Sequence, residues 1–271
     1  MPVDMTALLA DLSAETADLD EMIAPLGVAQ YLLPTPAVGW SIGDQVSHLA
    51  HFDEAALLAA TDPARFRAEA AELIATGAGS PDQVAARYRD TPGTELRSWL
   101  LTARQDLLTG FAALEPSTRL PWYGPDMSAA SSVTARLMET WAHGQDIADT
   151  LGVTRRATAR LRHIAHIGVR TIAFSFVLRG LPAPPQPIRV ELTGPDGADW
   201  TWGPADASDV VRAPALDFCL VVTQRRNRAD TALTADGPVA EQWISIAQAF
   251  AGEPGPGRPP SSPTASEPEP S

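Results

Sequence analysis

Apolar positions recur at helical spacing from Met5 to about Leu178, and beyond Leu181–Pro187 they fall into short runs broken by turn residues. Leu8, Leu12, Leu19, Met22 and Ile23 form one stripe of a helix predicted over 5–24. Ser41 with Asp44 three residues on reads as a capping-box start for a helix over 42–61, which Asp62-Pro63 ends. A short helical piece over 65–74 follows. Ser80-Pro81 starts another helix with proline at its first position, and Thr91-Pro92 restarts it as far as about Leu114. Pro116–Pro125 reads as a loop. Ser128–Leu151 reads as a helix closed by Gly152, and a fifth helix is predicted from Thr154 or Arg155 to Leu178, closed by Gly180. Four long helices with one long connection predict a four-helix bundle with an extra helix.

The segment LPAPPQP at Leu181–Pro187 forbids helix and favours an extended connector, so a domain boundary is expected there. The pattern after it is three β-prone runs, a helix over about 214–224, a strand near 231–234 and a helix over 237–250, a small α+β unit. Gly252–Ser271 is dense in Pro, Gly, Ser and Glu and cannot offset its ordering entropy by burial. The expected organisation is therefore a helical bundle over 1–180, an α+β domain over 188–250 and a disordered tail over 251–271.

Composition narrows the classes of function. The 271 residues carry 33 acidic and 20 basic side chains, a net charge of −13, and every base is arginine. An acidic surface of this kind disfavours nucleic acid and anionic membranes as partners. No apolar stretch is long enough to span a bilayer, the N-terminus lacks the pattern of a signal peptide, and the lone Cys219 cannot form an internal disulfide. A cytoplasmic protein, monomer or homodimer, acting on a small molecule is expected.

Among five histidines, His143 stands out because Glu139 precedes it by one helical turn, which places a carboxylate and an imidazole side by side on one face. The same spacing serves both a surface ion pair and a pair of metal ligands. A third ligand has to come from another helix. His48 sits on the inner stripe of the second helix with Val46 and Leu49, and His51 lies one turn further on, as a substitute ligand or a residue at the pocket mouth. His163 and His166 read as structural. Two imidazoles and one carboxylate leave a coordination position open, and this donor set favours Zn, with Fe, Ni or Mn as the other choices.

Trp40-Ser-Ile-Gly-Asp-Gln-Val-Ser-His48-Leu49 resembles the W-(T/S)-x-x-D-x-x-x-H-L segment of the DinB-like superfamily, in its mycothiol-dependent maleylpyruvate isomerase-type branch. Glu139-Thr-Trp-Ala-His143-Gly-Gln-Asp146, continuing to Gly152, resembles the matching E-x-x-x-H-x-x-D-x-x-x-x-x-G segment, in the right order and about 90 residues on. The resemblance implies a DinB-like bundle whose metal ligands are His48, Glu139 and His143. Phe218-Cys-Leu-Val-Val-Thr-Gln-Arg225 is similar to the F-L-L-L-L-W-G-R helix of that branch's C-terminal, sterol-carrier-like domain. This implies a catalytic role for Arg225 in handling substrate carboxylates, with Arg226 one register away. The loop Leu120–Met127, rich in aromatic residues, Gly and Pro, departs from the isomerase pattern and resembles an actinobacterial subgroup of the superfamily; it leads into the helix that carries Glu139 and so stands as a wall of the pocket or as a packed loop.

The function implied is a metal-dependent enzyme that uses mycothiol, or a similar low-molecular-weight thiol, for S-transfer or for cis–trans isomerisation of an electrophile. In the resembled isomerases the thiol adds to an activated cis double bond, the bond rotates, and elimination releases the trans product. Two other readings use the same residues. A carrier would line a cavity with Trp200, Trp202 and Trp243 and keep only a vestigial metal, and a hydrolase would activate water at the open position.

Overall fold

The computed structural model describes residues 3–76 and 80–261. The chain divides into two compact units, residues 1–156 and 157–271.

The first unit is helical. Helix α1 (Met5–Ile23) starts at Asp4, whose carboxylate accepts the Ala7 N–H, and buries Leu8, Leu12, Leu19 and Ile23 on the predicted stripe. After the short α2 (Val28–Tyr31), α3 (Ile42–Thr61) begins with the anticipated reciprocal cap between Ser41 and Asp44. Helices α4 (Pro63–Ala75) and α5 (Pro81–Ala86) both carry proline in the first turn, and α6 (Gly93–Ala112) follows. The expected loop at 116–125 holds a minimal hairpin, β1 (Arg119–Leu120) against β2 (Met127–Ser128), which clips the ends of the aromatic loop together. Helix α7 (Ala129–Leu151) is capped by Ser128 and terminated by Gly152 at φ 67°, a conformation that needs glycine's freedom.

Helices α1, α3, α6 and α7 make the bundle, with α3 packed on α6 and α7, and α1 on α7 and α6. Leu19, Ile23, Ile42, Val46, Leu49, Leu96, Leu100 and Ile147 close one apolar core. A second layer of order is ionic. Asp53 has no exposed surface and accepts from Arg104 (Nε 2.7 Å, Nη2 3.2 Å) and from Arg136 (Nε 3.0 Å). Arg104 also donates to Thr16 and, at 2.9 Å, to Thr140. The Asp53 carboxylate thus ties α3, α6 and α7 together, and Arg104 carries the network on to α1.

The second unit departs from the predicted fifth bundle helix. Residues 154–160 are not helical, and the remainder is two short helices, α8 (Leu161–Arg170) and α9 (Ile172–Leu178), that group with the C-terminal half. The unit boundary therefore lies at 156/157 and not at 180. The reason is packing: α8 buries Leu161, Ile164, Ala165 and Gly168 against a helix of its own unit, and a Cβ on Gly168 would meet Val222 and Phe218 within 3.0 Å. The proline-rich segment is the predicted connector, but within the unit.

Four strands, β3 (Ile188–Thr193), β4 (Asp199–Trp202), β5 (Asp209–Pro214) and β6 (Thr234–Asp236), form a sheet in the order β4-β3-β5-β6. β3 and β5 run parallel and the outer pairs antiparallel. Helices α10 (Ala215–Val222) and α11 (Pro238–Ile246) cover the face of Val190, Leu192 and Val211, with Phe218, Val222 and Trp243 in the core. Trp200 and Trp243 are core residues, 5% and 0% exposed, and Trp202 is half-buried. The opposite face carries the exposed ladder Arg189–Glu191–Arg212–Asp236. Residues 252–261, expected to be a detached tail, lie against this unit: Arg179 donates to the Gly255 carbonyl at 2.7 Å and Asn227 to that of Arg258 at 2.9 Å. The rest of the predicted tail lies outside the described residues. No described helix is long and apolar enough to cross a membrane.

Asp53→Asn leaves two buried guanidinium groups without their counter-ion and is expected to cost about 3–5 kcal/mol. Urea unfolding followed by circular dichroism measures it; a loss below about 1 kcal/mol would mean that the apolar core alone sets the bundle's geometry.

Candidate metal centre

His48 leaves the inner face of α3, and Glu139 and His143 leave α7 one turn apart. Glu139 Oε2 stands 3.3 Å from His48 Nε2 and 3.0 Å from His143 Nε2. One donor atom from each of the three residues lies within 4.8 Å of the others. Two ligands at the 2.0–2.1 Å bond lengths of a tetrahedral zinc ion are separated by about 3.3 Å, so the donor set and its spacing suit such an ion. His51 is not part of the cluster; its Nδ1 lies 3.3 Å from the Tyr88 hydroxyl and its ring edges onto Phe52.

The ring orientations are imposed from outside. His143 Nδ1 hydrogen-bonds the Gln45 side-chain oxygen, and Gln45 Nε2 donates to Thr35 Oγ1 at 2.8 Å. An amide oxygen only accepts, so His143 carries a proton on Nδ1 and presents Nε2 to Glu139. Trp40 stacks on His143 with ring centroids 5.7 Å apart and an interplanar angle of 8°, and its indole N–H donates to Asp82 at 2.6 Å. Gln45, Trp40 and Thr35 were not singled out as site residues by their chemistry. Gln45 had a readable signal, because it lies three residues before His48 and so shares its helix face.

Burial, then the neighbouring His143, lowers the His48 pKa to about 3, so this ring is a neutral ligand at physiological pH. Burial alone would raise the Glu139 pKa, but the hydrogen bonds of His143 and His48 outweigh it and hold the carboxylate well below its ordinary range. The Glu139 side chain remains 22% exposed while His48 and His143 are 8% and 11% exposed, so the cluster opens on the carboxylate side. Phe52 walls it, 4.7 Å from the His48 ring and 6.3 and 5.8 Å from Trp122 and Tyr123. The aromatic loop is packed, with Trp122 stacked on buried Phe66 at 5.8 Å, and it meets the site only indirectly, through Phe52.

Arg225 belongs to the second unit, just beyond the end of α10. Its guanidinium lies 5.9 Å over the Phe250 ring and donates to the Thr223 carbonyl at 2.7 Å. Gln224 before it has φ 59°, a non-glycine residue in left-handed backbone, at the position where the resembled F-L-L-L-L-W-G-R helix has glycine. Cys219 is fully buried and burial pushes its thiol pKa up, so it is no nucleophile.

Known proteins place these observations. Residues 12–148 match the family described as the mycothiol maleylpyruvate isomerase N-terminal domain, and residues 184–236 match one described as wyosine base formation. An uncharacterised protein of Mycobacterium tuberculosis, found in two strains, is 47% identical over 256 residues, covering 94% of this chain and 99% of that one. The crystal structure of the mycothiol-dependent maleylpyruvate isomerase superposes with a TM-score of 0.58 at 15% identity, over 88% of this chain and 96% of that one. A histidine-to-alanine mutant of that enzyme superposes with a TM-score of 0.57 at 14% identity, with the same coverage. At these identities the likeness is one of fold.

Two outcomes test the geometry. Gln45→Ala frees the His143 ring and is expected to weaken divalent-metal affinity about 10–100-fold in chelator competition. The neutral His48 makes the metal-free protein acid-sensitive: below pH 6.5 the unfolded chain takes up a proton that the folded one refuses until about pH 3, so stability falls as pH drops through that window. Denaturant midpoints across the window check this, and His48→Gln is expected to flatten the slope.

Proposed function

The chain belongs to the family of the mycothiol maleylpyruvate isomerase N-terminal domain, and we propose that it is a metal-dependent enzyme activating a low-molecular-weight thiol of the mycothiol type for S-transfer or cis–trans isomerisation of a small electrophile. The observation that carries this reading is the convergence of His48, Glu139 and His143 from two helices, with Gln45 dictating which nitrogen of His143 faces the cluster.

The three side chains suit a divalent cation with one position left for an exogenous ligand, and zinc fits the donor set best. A free thiol has a pKa near 8.5 and is mostly protonated at neutral pH; a bound divalent ion supplies the positive charge that favours the thiolate. The protein's part is to bring two imidazoles and one ionised carboxylate together, a donor set whose single negative charge leaves a net positive centre once a divalent cation is held. Trp40 and Phe52 keep the rings in place and exclude water from their buried side. The opening beside Glu139 admits the thiol. Arg225 is read as the group that meets a substrate carboxylate, in the register that the left-handed Gln224 supports.

Protein purified without added metal is expected to carry about one equivalent of a divalent ion, zinc foremost, measured by mass spectrometry, and His143→Ala to lose it. Wild type then consumes a small electrophile only with both metal and thiol present. A wild type that takes up no metal, or a His143→Ala protein that retains it, would overturn the reading.

A further inference from the structure

Two guanidinium groups share one carboxylate in the core of the bundle. Arg104 takes Asp53 with two nitrogens of its fork, Nε 2.7 Å from Oδ2 and Nη2 3.2 Å from Oδ1. Arg136 reaches the same Oδ1 with Nε alone, at 3.0 Å. Its Nη2 is buried and has no hydrogen-bond partner among the described residues. A buried N–H without an acceptor forfeits its hydration, and the loss is larger on a charged group. All three side chains are buried, so bulk water screens the second positive charge only weakly.

That charge stands beside the candidate centre. Arg136 precedes Glu139 by three residues and shares its face of α7. It is also close enough to His48 and His51 for its charge to help lower the pKa of both. Asp53 is the one carboxylate within 4.0 Å of Arg136 among the described residues. Glu139 gives its Oε2 to the two imidazoles, and Asp146 lies on the other side of His143, 4.0 Å from Nδ1. Arg104 by itself neutralises Asp53, so the second arginine is not there to balance that carboxylate. A buried cation with an unmet donor is costly on its own account and becomes favourable where a negative charge arrives next to it.

We propose that Arg136 sets the charge preference of the coordination position left open by His48, Glu139 and His143, favouring an exogenous ligand held as an anion, a thiolate foremost, over a neutral one. The inference rests on the metal reading given above and adds to it a source of anion stabilisation that belongs to the protein and not to the ion. Arg136 acts through the field it places at the centre, which a buried, weakly screened surrounding preserves, and it is a positioning residue in this role. The role is distinct from that read for Arg225, which belongs to the other unit and concerns a carboxylate of the electrophile.

The test uses the full chain loaded with cobalt(II), at cobalt concentrations that saturate each variant. It is titrated near neutral pH with 2-mercaptoethanol, read by the sulfur-to-metal charge-transfer band, and separately with imidazole, read by the visible ligand-field bands. Arg136→Gln, which leaves the Arg104–Asp53 pair intact, is expected to bind the thiol at least about ten-fold more weakly while its imidazole affinity stays within about two-fold of wild type. Arg136→Lys, which keeps the charge but withdraws Nη2, is expected to fall between the two. If Arg136→Gln does not fold by circular dichroism, Arg136→Lys carries the comparison: thiol affinity lowered about three-fold or more with imidazole unchanged supports the proposal, and no change overturns it. Thiol and imidazole affinities that fall together, or that both stay at wild-type values, also overturn it and leave Arg136 as a brace between helices. A wild type that takes up no cobalt overturns the metal reading and this inference with it, whereas loss of the charge preference alone leaves that reading standing.

Discussion

A single buried carboxylate sets the geometry on which the candidate centre depends. Asp53 sits on α3 five residues after His48, and Arg136 sits on α7 three residues before Glu139. Their ion pair, with Arg104 from α6 on the other side of the same carboxylate, allows α3 and α7 only one sliding register. Apolar packing tolerates small slips between helices, whereas a charge without access to water does not tolerate losing its partner. The ligands lie one turn or so from this anchor, so His48 meets Glu139 and His143 because Asp53 meets Arg136.

Around that anchor the protein arranges charge economically. His48 is kept neutral by burial and by the neighbouring His143, Glu139 is kept ionised by hydrogen bonds, and Gln45 dictates which nitrogen of His143 faces the cluster. These features dispose the three side chains to hold a cation, and the neutral His48 gives the acid sensitivity expected of the metal-free state. The aromatic loop adds shape to this chemistry: Trp122 and Tyr123 anchor on Phe66 and hold Phe52 against the His48 ring.

The second unit follows a different logic. Its core is a four-stranded sheet with a parallel central pair covered by α10 and α11, and the opposite face carries the exposed ladder of charged side chains. In this unit residues 252–261, whose composition offers little to bury, are held by backbone carbonyls accepting from Arg179 and Asn227. Hydrogen bonds to main chain need no apolar residue, so composition alone could not anticipate it.

Much was legible in the chain itself. The Ser41–Asp44 cap, the prolines at 63 and 81, Gly152 and the Glu139–His143 spacing are local signals, decided within one or two turns of backbone, and the structure shows each of those starts and stops. The two motifs together pointed to His48 as the third member of the cluster. What the chain did not disclose depends on contacts between residues far apart in sequence. Nothing along the chain sets Asp53, Arg104 and Arg136 apart from other charged residues until the bundle buries them together, Gln45 gains its role only when α7 arrives beside it, and α8 joins the second unit because its apolar face fits α10. Local propensity is set by neighbours along the chain, while burial and charge pairing are properties of the assembled core. That is why the helices could be read from the sequence, and why the network that positions the site could be seen only in the fold.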